Sequence, residues 1–202
     1  MAVDPAEVRV ALRSRLGRGR AAHCERVAAA AAALASHHGL DARAAELAGL
    51  LHDWYRECGA EEIVAVARAC GVVAADAPEG GIVPDVLHGP VAARLLPARW
   101  PDLPPAVLAA IDRHTTGDPE MTEFDCLVYV ADLIEPGHRY RGVEALRSLA
   151  QEDLWASTLA AMDAAIVRLV QLGRRIDPRT VAARNTLLAR KPPLVRRPEA
   201  GG

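Results

Sequence analysis

The 202-residue sequence predicts an all-α protein, a single-domain helical bundle. Three observations predict it. Hydrophobic residues make up 51% of the chain but aromatics only 3%, so the core is built from Ala, Leu and Val, whose small side chains favour close helix packing over sheet formation. Apolar residues recur at intervals of three and four, the period of a helix with one buried face. Glycine and proline also punctuate these periodic segments, at Gly17, Gly39, Gly59, Gly71, Pro136-Gly137 and Gly173.

Taken in order, Asp4-Pro5 reads as an N-cap followed by proline at the first helical position, opening a helix to about Leu16. A second helix runs from about Arg20 to His38, with Val27, Ala30, Ala31 and Leu34 as its apolar stripe and His23 inside that stripe. His37 and His38 stand at its C-terminus, where positive charge suits the helix dipole. Asp41 caps the most unusual segment, Ala44 to Trp54, AAELAGLLHDW. Its residues leave almost no polar face, so this helix is buried on all sides, and it delivers His52 and Asp53 at its C-terminal end. Trp54 reads as core.

Ala60 to Cys70 is a regular amphipathic helix, and residues 72–83 form the longest irregular connection. The segment VPDVLHGPVAARLL reads as two short helical pieces broken at Gly89-Pro90, with His88 at the break. LPPAVLAAIDRH is a helix ending at His114, and Thr122 caps EFDCLVYVADLIE, where Asp132 lies on the flank of the apolar stripe. His138 and Arg139 follow in a loop, where His138 is expected in solvent. Val143 to Gln151 is a helix, Asp153 caps a long one reaching Leu172, and Asp177-Pro178 opens the last, to about Arg190. The expected organisation is an N-terminal helix over residues 1–15, one domain over 16–190 and a disordered tail over 191–202.

The totals exclude several classes. A net charge of -2 supplies no field to hold nucleic acid. No run of about 18 apolar residues could span a membrane, and no signal-peptide core opens the chain. The four cysteines form no CxxC pair and read as thiols of a reducing, cytoplasmic compartment.

The polar residues set into apolar helices or at their ends are His23, His52, Asp53, His88, His114 and Asp132, separated by whole helices. Ligands drawn from facing helices of a bundle have this distribution. Two imidazoles and two carboxylates, from His23, His52, Asp53 and Asp132, suit a divalent transition metal with positions left open for water and substrate. His88 and His114 then serve either a second ion or the substrate's phosphates.

With its H…HD…D pattern the sequence resembles the HD-domain phosphohydrolases. LHGP at Leu87 to Pro90, HTTG at His114 to Gly117, YVADLIEPG from Tyr129 and IDPRTVAARN from Ile176 narrow the resemblance to the YqeK family, the symmetrical bis(5'-nucleosyl)-tetraphosphatases, over about residues 16–190. The resemblance implies an HD fold that binds iron, as one or two ions, and cleaves diadenosine tetraphosphate into two ADP. It implies His23, His52, Asp53 and Asp132 as metal ligands, and Asp53, His88 and His114 as catalytic. Nucleotide contacts are implied at Arg20, Asp53, Arg56, His88, His114, Arg139, Arg174, Arg175, Asp177 and Arg179. Two positions depart from the family pattern: HDWYR stands where relatives read HDYAK, and Asp177 where they have histidine. The expected partners are a dinucleoside polyphosphate and its nucleoside diphosphate product, with no nucleic acid or membrane, and a homodimer is compatible with the sequence. Competing readings are another HD nucleotide phosphatase (a deoxynucleotidase or alarmone hydrolase), a nucleotide sensor with little turnover, and a helical interaction module around a structural metal.

Overall fold

The computed structural model describes residues 2–190, and the tail expected to be disordered lies outside them. Ten α-helices and no strand occur among the described residues: α1 (Pro5–Arg15), α2 (Arg18–His38), α3 (Ala42–Leu51), α4 (Ala60–Ala69), α5 (His88–Arg99), α6 (Pro105–Arg113), α7 (Glu123–Ile134), α8 (Val143–Glu152), α9 (Leu154–Gln171) and α10 (Pro178–Arg190). No described helix is long and apolar enough to cross a membrane.

α3 is the centre of the bundle, enclosed by α1, α2, α6 and α7. Asp41 opens it by accepting the Ala44 N–H, and every residue from Leu47 to Leu51 is buried. Each fully enclosed leucine, such as Leu50 and Leu51, contributes about 1.5–3 kcal/mol. The crossing of α2 and α3 depends on Gly49: a Cβ there would lie 2.5 Å from Ala28 Cα and 2.7 Å from Ala28 N. The alanine run of α2 and the glycine of α3 thus bring two backbones together and seat His23 beside the end of α3. At the far end of α2, His37 and His38 donate to the Gln151 and Ala150 carbonyls (each 2.8 Å), groups that the C-terminus of α8 leaves unsatisfied.

The connection after α4 contains one-turn 3-10 helices at Glu79–Gly81 and Pro84–Val86. The expected break at Gly89-Pro90 is absent, because α5 begins at His88 and runs through both residues. Proline in a first turn sacrifices no helical hydrogen bond, its N–H having no partner there in any case. Gly89 is a point of close approach: a Cβ would stand 2.6 Å from the Ile111 carbonyl oxygen, so its absence lets α5 close on α6 and brings His88 to His114.

Candidate metal centre

Five helices converge on one group of side chains. α2 supplies His23, the end of α3 His52 and Asp53, α5 His88, the end of α6 His114, and α7 Asp132. His52, Asp53, His88 and His114 are buried, in an interior where a polar atom must find a partner or a cation.

Three of the histidines are fixed in one tautomer. His52 Nδ1 lies 2.8 Å from the Gly49 carbonyl, His88 Nδ1 3.0 Å from that of Asp85, and His114 Nδ1 2.7 Å from that of Ile111. A carbonyl only accepts, so Nδ1 carries the hydrogen in each ring and Nε2 turns a lone pair inward. The carbonyl belongs in every case to the residue three positions earlier, so the backbone that carries each imidazole also orients it.

The inward atoms form two adjoining sets. In the first, His23 Nε2 lies 3.0 Å from Asp132 Oδ1 and 3.8 Å from Asp53 Oδ2, while His52 Nε2 lies 3.4 Å from Asp53 Oδ2 and 3.7 Å from Asp132 Oδ1. Donors bound at about 2.0–2.1 Å to a common ion stand roughly 3.0–3.4 Å apart, close to these spacings. In the second set, Asp53 Oδ1 lies 3.3 Å from His88 Nε2 and 3.8 Å from His114 Nε2, and the two imidazole nitrogens are 3.0 Å apart. The two oxygens of Asp53 therefore face one set each. His52 Nε2 is buried without a hydrogen-bond partner, as a lone pair waiting for a cation would be.

The electrostatics agree with a missing positive charge. Burial opposes ionisation of Asp53, but the imidazoles of His52, His88 and His114 outweigh it and hold the carboxyl far below its usual range. Burial likewise opposes ionisation of Asp132, which contact with His23 and the charges of His52 and His114 bring down to about 2. Burial disfavours charge on His52, yet Asp53 and Asp132 raise it to about 9, so a proton settles here when no metal does. Burial, then His88 and His52, push His114 down to about 3, which keeps it a neutral donor. Cys24 also borders the cluster, but burial and the Asp53 charge raise its thiol well above the ordinary value, so it is not a thiolate.

The structure adds residues that the sequence does not single out. Glu135, only 2% exposed, meets His23 Nδ1 at 3.3 Å, accepts from Arg26 Nε at 2.6 Å and Nη2 at 3.0 Å, and accepts the Gly137 N–H at 2.5 Å. A carboxylate behind a ligating imidazole fixes ring orientation and raises basicity. Burial opposes its ionisation, but Arg26 and the Gly137 N–H hold it down to about 2. Thr115 Oγ1 stands 3.2 Å from His88 Nε2 and 3.0 Å from His114 Nε2, on the open side of the second set.

A cavity of about 790 Å³ opens onto this centre, and Arg20, Arg56, Arg141 and Arg168 line it. Arg20 Nη1 lies 2.7 Å from Asp53 Oδ2, and Arg56 donates to the Asp85 carbonyl at 3.1 Å on the rim. Arg139 is exposed and is not among the lining residues; Arg141, two residues on, is. His138, expected in solvent, lines the cavity with its ring 5.9 Å from that of His23, because the turn held by Glu135 folds the loop back over α2. Arg174, Arg175 and Asp177 line a neighbouring cavity. Arg179 is engaged by Asp112 and, at 2.9 Å, by Asp118, away from the metal donors. Trp54 is core, edge-on to Trp100 with centroids 5.1 Å apart.

Comparison with known proteins gives the same picture. The HD domain family model matches residues 20–137. The chain is 28% identical to the symmetrical bis(5'-nucleosyl)-tetraphosphatase of Bacillus subtilis over 91% of its own length and 97% of that protein. It is 32% identical to the enzyme of the same name from Halalkalibacterium halodurans, over 77% of the chain and 81% of that protein. A crystal structure described as an HD superfamily hydrolase involved in NAD metabolism, from Clostridium acetobutylicum, superposes with a TM-score of 0.87 at 31% identity, covering 95% of this chain and all of that one.

Proposed function

The chain belongs to the HD-domain family and, within it, to the symmetrical bis(5'-nucleosyl)-tetraphosphatases; from that premise we propose that it hydrolyses diadenosine tetraphosphate to two ADP at a centre where the histidines and carboxylates around Asp53 would hold iron. The observation that carries the proposal is the set of inward Nε2 lone pairs on buried histidines, facing both oxygens of one carboxylate, with His52 Nε2 buried and without a hydrogen-bond partner. On this reading His23, His52, Asp53 and Asp132 hold one ion, and Asp53, His88 and His114 the other. Imidazole and carboxylate together suit a borderline metal such as iron. A divalent ion held there supplies Lewis acidity to a phosphoryl oxygen and acidifies a water.

The chain's own residues do the rest. A tetraphosphate resists attack because its negative charge repels the nucleophile, and the guanidinium groups of Arg56, Arg141 and Arg168 offset that charge along the cavity. Arg20, bonded to Asp53, keeps this carboxylate in one rotamer. Glu135 does the same for the His23 ring. Thr115 offers a hydroxyl at the rim, within reach of a phosphate oxygen. A cytoplasmic location goes with this reading, since all four cysteines are unpaired thiols and reducing compartments keep them so.

The test is anaerobic purification, metal analysis and assay after chelation, with diadenosine tetraphosphate, a deoxynucleoside monophosphate and a guanosine alarmone offered side by side. The expected result is iron in the purified protein, loss of activity on chelation, recovery with ferrous ion, and clear preference for the dinucleotide. Preference for either other substrate would move the chain to another HD phosphatase activity. Tight nucleotide binding without turnover would make it a sensor.

A further inference from the structure

Two cavities of similar size adjoin beside the candidate metal centre. The one described above is about 790 Å³ and its neighbour about 770 Å³, each within the range of a pocket for one small ligand, roughly 300–1,000 Å³. They share a wall of Arg56, Thr115, Tyr129, Ala165 and Arg168. Beyond the wall they differ. The first contains the metal donors with Tyr140 and Arg141, and the second is lined by the apolar Ile82, Val83 and Leu169 together with Arg174 and Arg175. Thr115 lines both cavities and its Oγ1 touches both His88 and His114, so the donor set of the first cavity borders the wall shared with the second.

We propose that the two cavities are separate subsites, occupied at once by the two nucleoside halves of a single substrate, with the middle of the phosphate chain crossing the wall at Arg56, Thr115 and Arg168. The proposal rests on the reading that the substrate is a dinucleoside polyphosphate. Charge supports it. The second cavity sets Arg56, Arg168, Arg174 and Arg175 against Asp85 and Asp177, an excess of two cations, and Arg56 and Arg175 donate only to the backbone carbonyls of Asp85 and Gly80. Arg174 meets only Asp85, at 3.4 Å with both side chains well exposed, and such a pair is weak enough to yield to phosphate. Among the described residues the Arg168 guanidinium forms no hydrogen bond or ion pair, yet it stands on the shared wall. The apolar side offers a nucleobase a surface that the phosphate-facing side does not.

The arrangement also accounts for where the bridge is cut. A substrate anchored by a nucleoside on either side of the centre presents an inner phosphorus to it. A single pocket ending at the metal would present the phosphorus next to one nucleoside or a terminal one.

The experiment is calorimetric titration of the metal-loaded full chain with ADP, a product that undergoes no turnover, alongside hydrolysis of diadenosine tetraphosphate. Two variants on the exposed side of α9 each obstruct one cavity: Leu169→Trp the second and Ala164→Trp the first. The expected result is two ADP bound per wild-type chain and one per chain in each variant, with far-ultraviolet circular dichroism unchanged and the KM for the dinucleotide raised in both. One ADP per wild-type chain, with dinucleotide hydrolysis intact, overturns the two-subsite proposal and leaves the assigned activity standing. Two ADP per chain in wild type and in both folded variants overturns it as well. Two sites of the expected kind in a chain that does not cleave the dinucleotide would support the subsites and remove the assigned activity.

Discussion

Asp53→Asn removes one negative charge and almost no volume from the point where the two donor sets meet. Both oxygens of Asp53 face imidazole nitrogens, at 3.4 and 3.8 Å on one side and 3.3 and 3.8 Å on the other. An amide offers one weak acceptor and turns a donor to the other set, so the first site keeps His23, His52 and Asp132 and the second only two neutral imidazoles. The metal-free fold should lose stability too, because the variant gives up a charge-assisted bond from Arg20, worth about 1.5–3 kcal/mol, and the attraction to the imidazoles that in wild type outweighs the burial of the carboxylate. The effect of a bound ion is read separately, as the change that metal makes to each protein's melting curve. An ion held at 100 times its Kd stabilises the native state by about 2.7 kcal/mol, which in a chain of this size raises Tm by roughly 5–11 °C. Melting curves with and without ferrous ion, read beside metal content, should show that rise in wild type and none in Asp53→Asn, with activity lost. Wild-type metal content in the variant, or an equal metal-dependent rise, would refute the assignment of Asp53 to both donor sets.

Glu135→Gln should weaken metal binding about 10–100-fold by loosening His23, with activity recovering at high metal concentration, and a metal titration of activity reads this directly. The same carboxyl is lowered from 4.5 to about 2 on folding, so its stabilisation is complete above pH 4.5 and disappears as the pH falls toward 2. Wild type and Glu135→Gln should therefore differ in denaturant midpoint at neutral pH and converge in acid. Gly49→Ala should destabilise the fold by about 1–3 kcal/mol or more, because its Cβ would sit 2.5 Å from Ala28 Cα and neither backbone can yield; chemical denaturation measures the loss. Arg141→Ala should lower kcat/KM about tenfold or more at unchanged metal content, the worth of a charge-assisted phosphate contact, while Arg139→Ala, outside the cavity, leaves it unchanged.

The parts of this architecture that were legible in the sequence are those written in local chemistry. The half of α3 from Leu47 to Leu51 is apolar all round, so its burial follows from composition, and His52 and Asp53 at its end are conspicuous because they interrupt that composition. Asp41, Thr122 and Asp153 mark their helices by capping, which acts within three residues. What stayed hidden depends on contacts between helices. Glu135 ends an apolar helix like any capping residue, and only the meeting of α2 with α7 turns it toward His23 and Arg26. Gly89 reads as a helix breaker when taken alone; the Ile111 carbonyl that requires its missing Cβ lies 22 positions away. Arg139 and Arg141 are equivalent by sequence, and the path of one loop decides which faces the cavity. Arg168 belongs to a helix whose sequence shows an ordinary amphipathic pattern, and its use appears only when two cavities are seen on either side of it.

The most direct measurement is hydrolysis of diadenosine tetraphosphate by the iron-loaded chain in water enriched in heavy oxygen, with early products separated and weighed by mass spectrometry. A centre at the junction of two subsites attacks an inner phosphorus, so ADP should be the sole product, one molecule of each pair carrying a single heavy oxygen on its terminal phosphate. AMP and ATP appearing together in equal amounts at early times would contradict the account, even with every metal ligand in place.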